Sequence, residues 1–188
     1  MEIEKEHARK ALQHSQGSVL WLDSSDRPPE NESLEGTVQA DLAVVGGGFT
    51  GLWAALQAKE RDPSREVILI DSGRIGEQAS SRNGGFLSAT LTHGLANGVA
   101  RFPKQVRELV RLGQENFDGL VASLQTHQID AALELTGNLI VADAEWQVSG
   151  VAEFVDLLKE YGEQAEFLGA EQARAQVHSP TYLAAAQV

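Results

Sequence analysis

The 188-residue sequence contains no cysteine. This absence excludes disulfide scaffolds, cysteine-ligated metal centres and thiolate catalysis, and it suits a reducing compartment such as the cytosol. Positive charge is scarce too, since 15 Lys and Arg stand against 27 Asp and Glu, a net charge of −12. A chain this acidic repels phosphate backbones, so no nucleic-acid partner is expected.

Long apolar runs are also missing. The runs 42–45 and 67–70 hold four residues each and no run exceeds five, whereas a helix needs about 20 to span a bilayer. The stretch 1–16 mixes Glu, Lys, His and Arg without an apolar run, which does not fit a secretory signal. Hydrophobic residues still make up 42% of the chain, enough for a globular core. We therefore expect a soluble, cytoplasmic protein with no membrane partner.

Several signatures of catalysis are absent. The sequence has no H-E-x-x-H motif, no G-x-S-x-G elbow and no G-x-x-x-x-G-K-[ST] loop, so zinc, acyl-transfer and P-loop chemistry lack their motifs. The five histidines form no recognisable ligand pattern; they are His7, His14, His93, His127 and His178. We predict no metal site, and no residue can be named as catalytic.

Residues 1–36 are predicted to form a polar N-terminal arm. The stretch 27–33 is rich in proline and acids, which favours an extended or mobile segment. Trp21 and Leu22 end the bulky apolar run of this arm, 19–22. We expect them to pack the arm against the main body of the protein.

A strand–helix–strand unit follows the arm. The run 41–45 is apolar and β-branched, as in a buried parallel strand. Phe49, Leu52, Trp53 and Leu56 then share one helical face, and the pattern stops near Pro63. A second apolar strand spans 66–70. The length of the whole unit is typical of a right-handed parallel crossover.

Beyond residue 75, the sequence patterns that indicate helix or strand differ in strength. A Gly/Ser-rich stretch over 76–98 has little periodicity, and a long helix is predicted to start near Pro103. Residues 131–142 are predicted to form a strand bent at Gly137, and helices are predicted over 146–161 and 171–176. The final residues suggest no closing element.

The turn between the first strand and its helix carries a glycine motif. The sequence Gly46-Gly47-Gly48-Phe49-Thr50-Gly51 fits G-x-G-x-x-G, and Asp71 follows the last glycine at about the 20-residue spacing of a dinucleotide fingerprint. Gly46 permits a tight turn, Gly48 lets a pyrophosphate approach, and Gly51 lets helix and strand pack closely. Asp71 can accept hydrogen bonds from ribose hydroxyls, and it would repel the 2′-phosphate of NADP. The motif predicts a dinucleotide site but does not separate FAD from NAD.

A second segment bears on that choice. Arg74 lies three positions past Asp71, within reach of adenine or pyrophosphate. The run 79–87 combines two hydroxyls, a guanidinium, an amide and paired glycines. Such groups suit phosphate oxygens and close backbone approach to a flat ring, although the composition alone also fits an irregular surface loop.

The glycine motif in its strand context, together with Ser80-Ser81-Arg82-Asn83-Gly84-Gly85-Phe86, resembles the D-amino-acid-oxidase-like family of FAD-dependent oxidoreductases. The closest likeness is to the gamma-glutamylputrescine oxidase branch. The resemblance implies FAD as cofactor and a small amine or amino acid as substrate. It further implies oxidation of a C–N bond, with hydride passing to flavin N5 and an imine as product.

The family's cofactor contacts are carried over by position. Gly46, Gly48, Gly51 and Asp71 would hold the ADP half of FAD, and Ser81, Arg82, Asn83 and Gly84 would lie along pyrophosphate and flavin. Phe49, Thr50, Ser72, Arg74 and Ser80 complete the predicted set. His93 is a candidate flavin-proximal group, although a loop or core histidine is the favoured interpretation.

The resemblance also sets the predicted fold. It is an α/β fold with a Rossmann-type FAD-binding parallel β-sheet core, whose N-terminal part spans 37–127, followed by the start of an α+β substrate domain over 128–188. Family members are longer, so the chain is interpreted as an N-terminal portion. Two alternatives stay open: an NAD-linked dehydrogenase, and a non-catalytic truncated remnant.

Overall fold

The computed structural model describes residues 2–25, 27 and 29–188. The chain divides into two compact units, Met1–Phe86 and Leu87–Val188. Within the described residues, no helix combines the length and the apolarity that crossing a bilayer requires.

The first unit contains the predicted strand–helix–strand arrangement. Its elements are α1 (Glu2–Ala11), a 3-10 turn (Leu20–Leu22), β1 (Leu42–Val45), α2 (Phe49–Arg61), β2 (Val67–Ile70) and a second 3-10 turn (Ala79–Ser81). Strands β1 and β2 pair in parallel, with Leu42 opposite Val67 and Val45 opposite Ile70. Because parallel strands need a crossover, helix α2 runs back between them. This unit confirms the Rossmann-type α/β prediction.

Helix α2 ends where proline predicted it would. The Asp62 carboxylate accepts hydrogen bonds from the backbone N–H and the hydroxyl of Ser64, forming a turn around Pro63. The predicted apolar face is only partly covered. Trp53 and Leu56 are half-buried, whereas Phe49 and Leu52 are exposed.

Burial of β1 differs from the sequence prediction. Leu42 and Val44 are half-buried, but Ala43 is exposed and Val45 keeps 80% of its surface accessible. The prediction of a strand is confirmed, and the prediction of burial on both faces is wrong for the described part of this unit. The physical reason is that α2 covers one side of the two-stranded sheet, and alternate side chains of a strand point to opposite sides.

Residues of the arm are more ordered than a polar lead-in suggests. Helix α1 was not predicted, and its Glu6 and Lys10 have the i, i+4 spacing that supports a solvent-facing helix. The predicted extended stretch includes Pro28, which lies outside the described residues. Residues 29–33 form neither helix nor strand, in agreement with the prediction for that part.

The second unit is helical first and then α+β. Predicted helices are confirmed at α4 (Val106–Thr126), α5 (Glu145–Glu160) and α6 (Ala170–Gln176). The strand predicted over 131–142 is shorter, at β3 (Leu139–Ala142). Three further elements of this unit had not been predicted; they are α3 (Leu95–Arg101), β4 (Glu166–Gly169) and β5 (Ala184–Gln187).

The three strands of the second unit form one antiparallel sheet in the order β3-β5-β4. The central strand is β5, whereas the sequence suggested no element over these residues. Ala184 and Ala186 pack with Val151 and Val155 of α5, while Ala185 packs on the opposite side with residues of α6 and β4. All three alanines are 0% exposed, because their small side chains let helices approach the sheet on both faces.

Candidate functional site

The predicted glycine turn joins the end of β1 to the start of α2. Gly46 has a φ of +104°, a value that a residue with a β-carbon rarely adopts. Its N–H extends the strand pairing by donating to the Ile70 carbonyl at 2.8 Å. Gly48 then takes an extended conformation at the helix N-cap and, as a glycine, offers no side chain of its own to cap the helix. The turn therefore presents backbone N–H groups and the positive end of the helix dipole.

The third glycine of the motif allows the helix to approach the turn. A β-carbon at position 51 would overlap the Gly46 carbonyl oxygen and would lie 3.2 Å from Val44 Cγ1. The middle glycine of the triplet is also tightly packed. A β-carbon on Gly47 would lie 2.7 Å from Cγ1 of Ile75. Sequence reasoning did not single out Ile75, because nothing local links it to the turn.

Asp71 lies at the same edge of the sheet, directly after β2. Its carboxylate accepts hydrogen bonds from the N–H of Gly47 at 2.7 Å and of Gly73 at 3.1 Å. These two donors, Gly47 first, hold the pKa of the Asp71 carboxyl below its ordinary value. Asp71 is exposed and ionised at neutral pH, and a carboxylate offers about four acceptor positions. Acceptor capacity therefore remains for ligand hydroxyls.

Ser80 meets the glycine turn. The second 3-10 turn places its hydroxyl so that Phe49 N–H donates to Ser80 Oγ at 3.2 Å. A β-carbon on Gly48 would lie 2.9 Å from the same oxygen. The fold thus places Ser80, from the predicted segment 79–87, at the N-terminus of α2, although 31 residues separate it from Phe49.

The neighbouring predicted residues have other partners. Arg74 forms an ion pair with Glu30 of the arm at 3.4 Å, and Arg82 donates to the Gly17 carbonyl at 3.0 Å. The Asn83 side chain shapes its own loop by donating to the Ser80 carbonyl and by accepting from Gly85 N–H.

The remaining predicted residues are placed less distinctively. Thr50, Ser72 and Gly84 are exposed, and Ser81 is half-buried. His93 belongs to the second unit, where it is exposed in a turn with a φ of +55°. Sequence reasoning missed the arm residues that meet the segment after Asp71, among them Glu30, because their partners lie far along the chain.

The lowered pKa of Asp71 gives a testable pH dependence. Its folded-state pKa is lowered relative to an unfolded value of about 3.9, so the charged group stabilises the fold above that value. The contribution is lost as the pH falls through the folded pKa. We expect Asp71→Asn to be less stable than the parent chain at neutral pH, with the difference shrinking below about pH 4.

Urea unfolding of both proteins at a series of pH values measures that difference, and NMR titration of the Asp71 carboxyl measures the pKa directly. A stability difference that stays constant from neutral to strongly acidic pH would contradict the assignment of the hydrogen bonds.

Together these features make an edge suited to a dinucleotide, with anion-binding N–H groups beside a carboxylate acceptor. A family profile described as "DAO: FAD dependent oxidoreductase" matches residues 41–187. The chain belongs to this family. As a member of the DAO family, it carries the glycine turn at the start of the matched region and β5 at its end.

Curated relatives extend the comparison to residues before the matched region. The chain is 30% identical over 172 residues to gamma-glutamylputrescine oxidoreductase of Escherichia coli (strain K12), a match that covers 89% of this chain and 39% of that protein. It is 34% identical over 88 residues to the probable oxidoreductase OrdL of Haemophilus influenzae, covering 47% of this chain and 19% of that one. The chain thus spans about two fifths or less of the length of these relatives.

Solved structures support the fold. Glycine oxidase from Bacillus cereus superposes with a TM-score of 0.56 at 22% identity, over 79% of this chain and 38% of that chain. L-amino acid deaminase from Proteus vulgaris gives 0.53 at 24% identity, over 84% of this chain and 35% of that one. At these identities the likeness concerns the fold of this DAO-family chain.

Proposed function

We propose that this chain binds the ADP half of FAD at the glycine turn and Asp71. We further propose that it serves a flavoprotein that oxidises the C–N bond of a small amine or amino acid. Family membership supports FAD as the cofactor. The names of the relatives, an oxidoreductase of gamma-glutamylputrescine and an oxidase of glycine, support the substrate class.

One observation carries the proposal: the turn and the carboxylate share one edge of the sheet. The Gly47 N–H to Asp71 contact of 2.7 Å joins them directly. A pyrophosphate needs N–H donors and positive potential, which the start of α2 offers. An adenosine ribose needs acceptors, which Asp71 offers.

The groups at the helix N-terminus also suit a pyrophosphate. A β-carbon at position 48 would lie 2.9 Å from the Ser80 hydroxyl oxygen. Glycine adds no side chain at this point, and the Ser80 hydroxyl can donate to a phosphate oxygen. The residues present therefore fit the ADP half of FAD.

Bound FAD supplies the two-electron acceptor for C–N oxidation, and the chain contributes binding and orientation. The turn N–H groups would hold the pyrophosphate, and Asp71 would hold the ribose and disfavour a 2′-phosphate. Ser81, Arg82, Asn83 and Gly84 would lie along the pyrophosphate and flavin. We assign 37–127 to the N-terminal part of the FAD domain and 128–188 to the start of the substrate domain. Because the chain covers 39% of the Escherichia coli relative, substrate oxidation is proposed for the whole protein.

A flavin-binding assay tests this proposal. We expect the protein, produced with and without any natural continuation, to show flavin absorbance or to bind added FAD. Asp71→Asn should weaken FAD binding about tenfold, since hydrogen bonds to a charged group are stronger than those to a neutral one. Asp41→Asn is the matched control. The Asp41 carboxylate also accepts a backbone hydrogen bond, from Glu66 N–H at 2.9 Å, but it lies at the other end of strands β1 and β2, away from the glycine turn.

Three outcomes would contradict the proposal. Binding of NADH without FAD would favour the NAD-linked dehydrogenase, and binding of neither nucleotide would favour a non-catalytic remnant. Equal losses of FAD affinity in Asp71→Asn and Asp41→Asn would remove Asp71 from the site.

A further inference from the structure

We propose that the arm positions the Ser80 loop, defined here as residues 74–85, and that Trp21 is the positioning residue. This inference rests on the proposed function, because the loop is argued to border the FAD site. It goes beyond simple packing of the arm, since the contacts lead by hydrogen bonds to the start of α2.

Trp21 contacts the loop in two ways. Its indole N–H donates to the Asn83 carbonyl at 3.0 Å across 62 residues of sequence. Its ring also lies against Gly85, where a β-carbon would come within 2.7 Å of Trp21 Cη2. Gly85 has a φ of +79°, so both its backbone conformation and the tryptophan ring require glycine. The loop backbone is thus shaped to accept this side chain.

The next arm residue, Leu22, also reaches the loop. A β-carbon on Gly76 would lie 3.3 Å from Ser81 Oγ and 3.4 Å from Cδ1 of Leu22, an ordinary contact distance for the latter, and Gly76 has a positive φ of +83°. Val19, just before the 3-10 turn, is only 6% exposed. Two adjacent arm side chains therefore meet two glycines at the two ends of the loop.

Two ion pairs lie beside the contacts that Trp21 and Leu22 make with the loop. Arg27 of the arm pairs with Glu77 of the loop at 2.8 Å, and Arg74 of the loop pairs with Glu30 of the arm at 3.4 Å. The charges are reciprocal, since each segment supplies one arginine and one glutamate. Partly exposed ion pairs contribute little to stability, and Trp21 is itself 52% exposed, so variants of Trp21 are needed to measure what its contact contributes.

The contacts continue from Trp21 to the candidate FAD site. Trp21 bonds to the Asn83 carbonyl, the Asn83 side chain donates to the Ser80 carbonyl at 2.9 Å, and Ser80 Oγ accepts from Phe49 N–H. Each link is a hydrogen bond between groups whose positions depend on one another. Holding Trp21 in place therefore holds the Ser80 hydroxyl at the helix N-terminus.

Two variants of Trp21 test the inference. Trp21→Ala removes the ring and the N–H donor, and we expect amide exchange over residues 79–85 of the FAD-free protein to accelerate about tenfold. We expect the Kd for FAD to rise by about the same factor. Trp21→Phe keeps a ring against Gly85 and loses only the donor, so it should rescue most of both effects. Trp146→Ala is the matched control, because Trp146 lies in the second unit and is 80% exposed.

The readouts separate this inference from the proposed function. If the parent protein binds FAD and Trp21→Ala leaves both its Kd and the exchange of 79–85 unchanged, Trp21 does not position the loop. If the parent binds no FAD, the proposed function fails, and the exchange rates still show whether the arm orders the loop. If Trp21→Ala does not fold, Trp21→Leu, which keeps apolar bulk but loses both the ring and the donor, decides: faster exchange confined to 79–85 supports the inference, and unchanged exchange overturns it.

Discussion

A Gly48→Val variant is expected to keep its fold and to lose FAD. Gly48 has an extended backbone that any residue adopts, with φ −81° and ψ −179°. The first protein atom that its β-carbon would meet is the Ser80 hydroxyl oxygen at 2.9 Å, the end of a side chain that can rotate away. The valine methyl groups would then fill the space proposed for the pyrophosphate. Loss of two charge-assisted hydrogen bonds corresponds to an affinity loss of about a hundredfold or more.

The effect on the ligand must be separated from the contact with Ser80. We therefore compare Ser80→Ala with the double variant Gly48→Val/Ser80→Ala, in which the protein clash is relieved. FAD binding is measured by flavin fluorescence, and the fold by circular dichroism and thermal melting. The double variant should bind FAD as poorly as Gly48→Val. Recovery of affinity in the double variant, or full FAD occupancy in Gly48→Val, would show that the pyrophosphate does not lie over this turn.

Gly51→Ala is expected to destabilise the first unit itself. Its β-carbon would overlap the Gly46 carbonyl oxygen, a backbone atom that cannot move without shifting the turn. Helix propensity alone would make alanine stabilising by about 1 kcal/mol. A clash with a backbone atom falls at the upper end of the roughly 1–3 kcal/mol that overpacking costs, so we expect a net loss of about 2 kcal/mol. For a chain of this size that loss lowers Tm by about 4–8 °C.

Gly119→Ala in α4 is the matched control for this substitution. Gly119 is also helical, and its added β-carbon would meet no atom within 4 Å. Here propensity acts alone, and we expect a small gain in stability, seen as a higher Tm by calorimetry. An equal response of the two variants would mean that helix α2 does not approach the turn as closely as described.

Much of the fold was predictable because its signals are local. The parallel unit follows from two four-residue apolar runs around a helical pattern, and the end of α2 follows from Pro63. Helices α4, α5 and α6 were found from periodicity, which depends on neighbours a few residues apart. The glycine turn was found in the same way, since its three special positions lie close together over 46–51.

Other elements give weak local signals. Strand β5 contains three consecutive alanines, which favour helix over strand when taken alone. Their place at the centre of the sheet is favourable because α5 and α6 pack on opposite faces, and only small side chains fit there. The exposure of Val45 could not be predicted from the sequence either. An apolar strand indicates that other segments cover it, but the pattern does not say which segments these are.

The sequence by itself determined the glycine turn, the acid at position 71 and the family to which the chain belongs. These features are encoded in spacing and residue type, so they are present before any long-range contact forms. Only the tertiary structure decided that Trp21 meets Asn83 and that Ser80 meets the start of α2. Such pairs join residues 62 and 31 positions apart. No local pattern specifies them, because they depend on how the whole unit closes around its two strands.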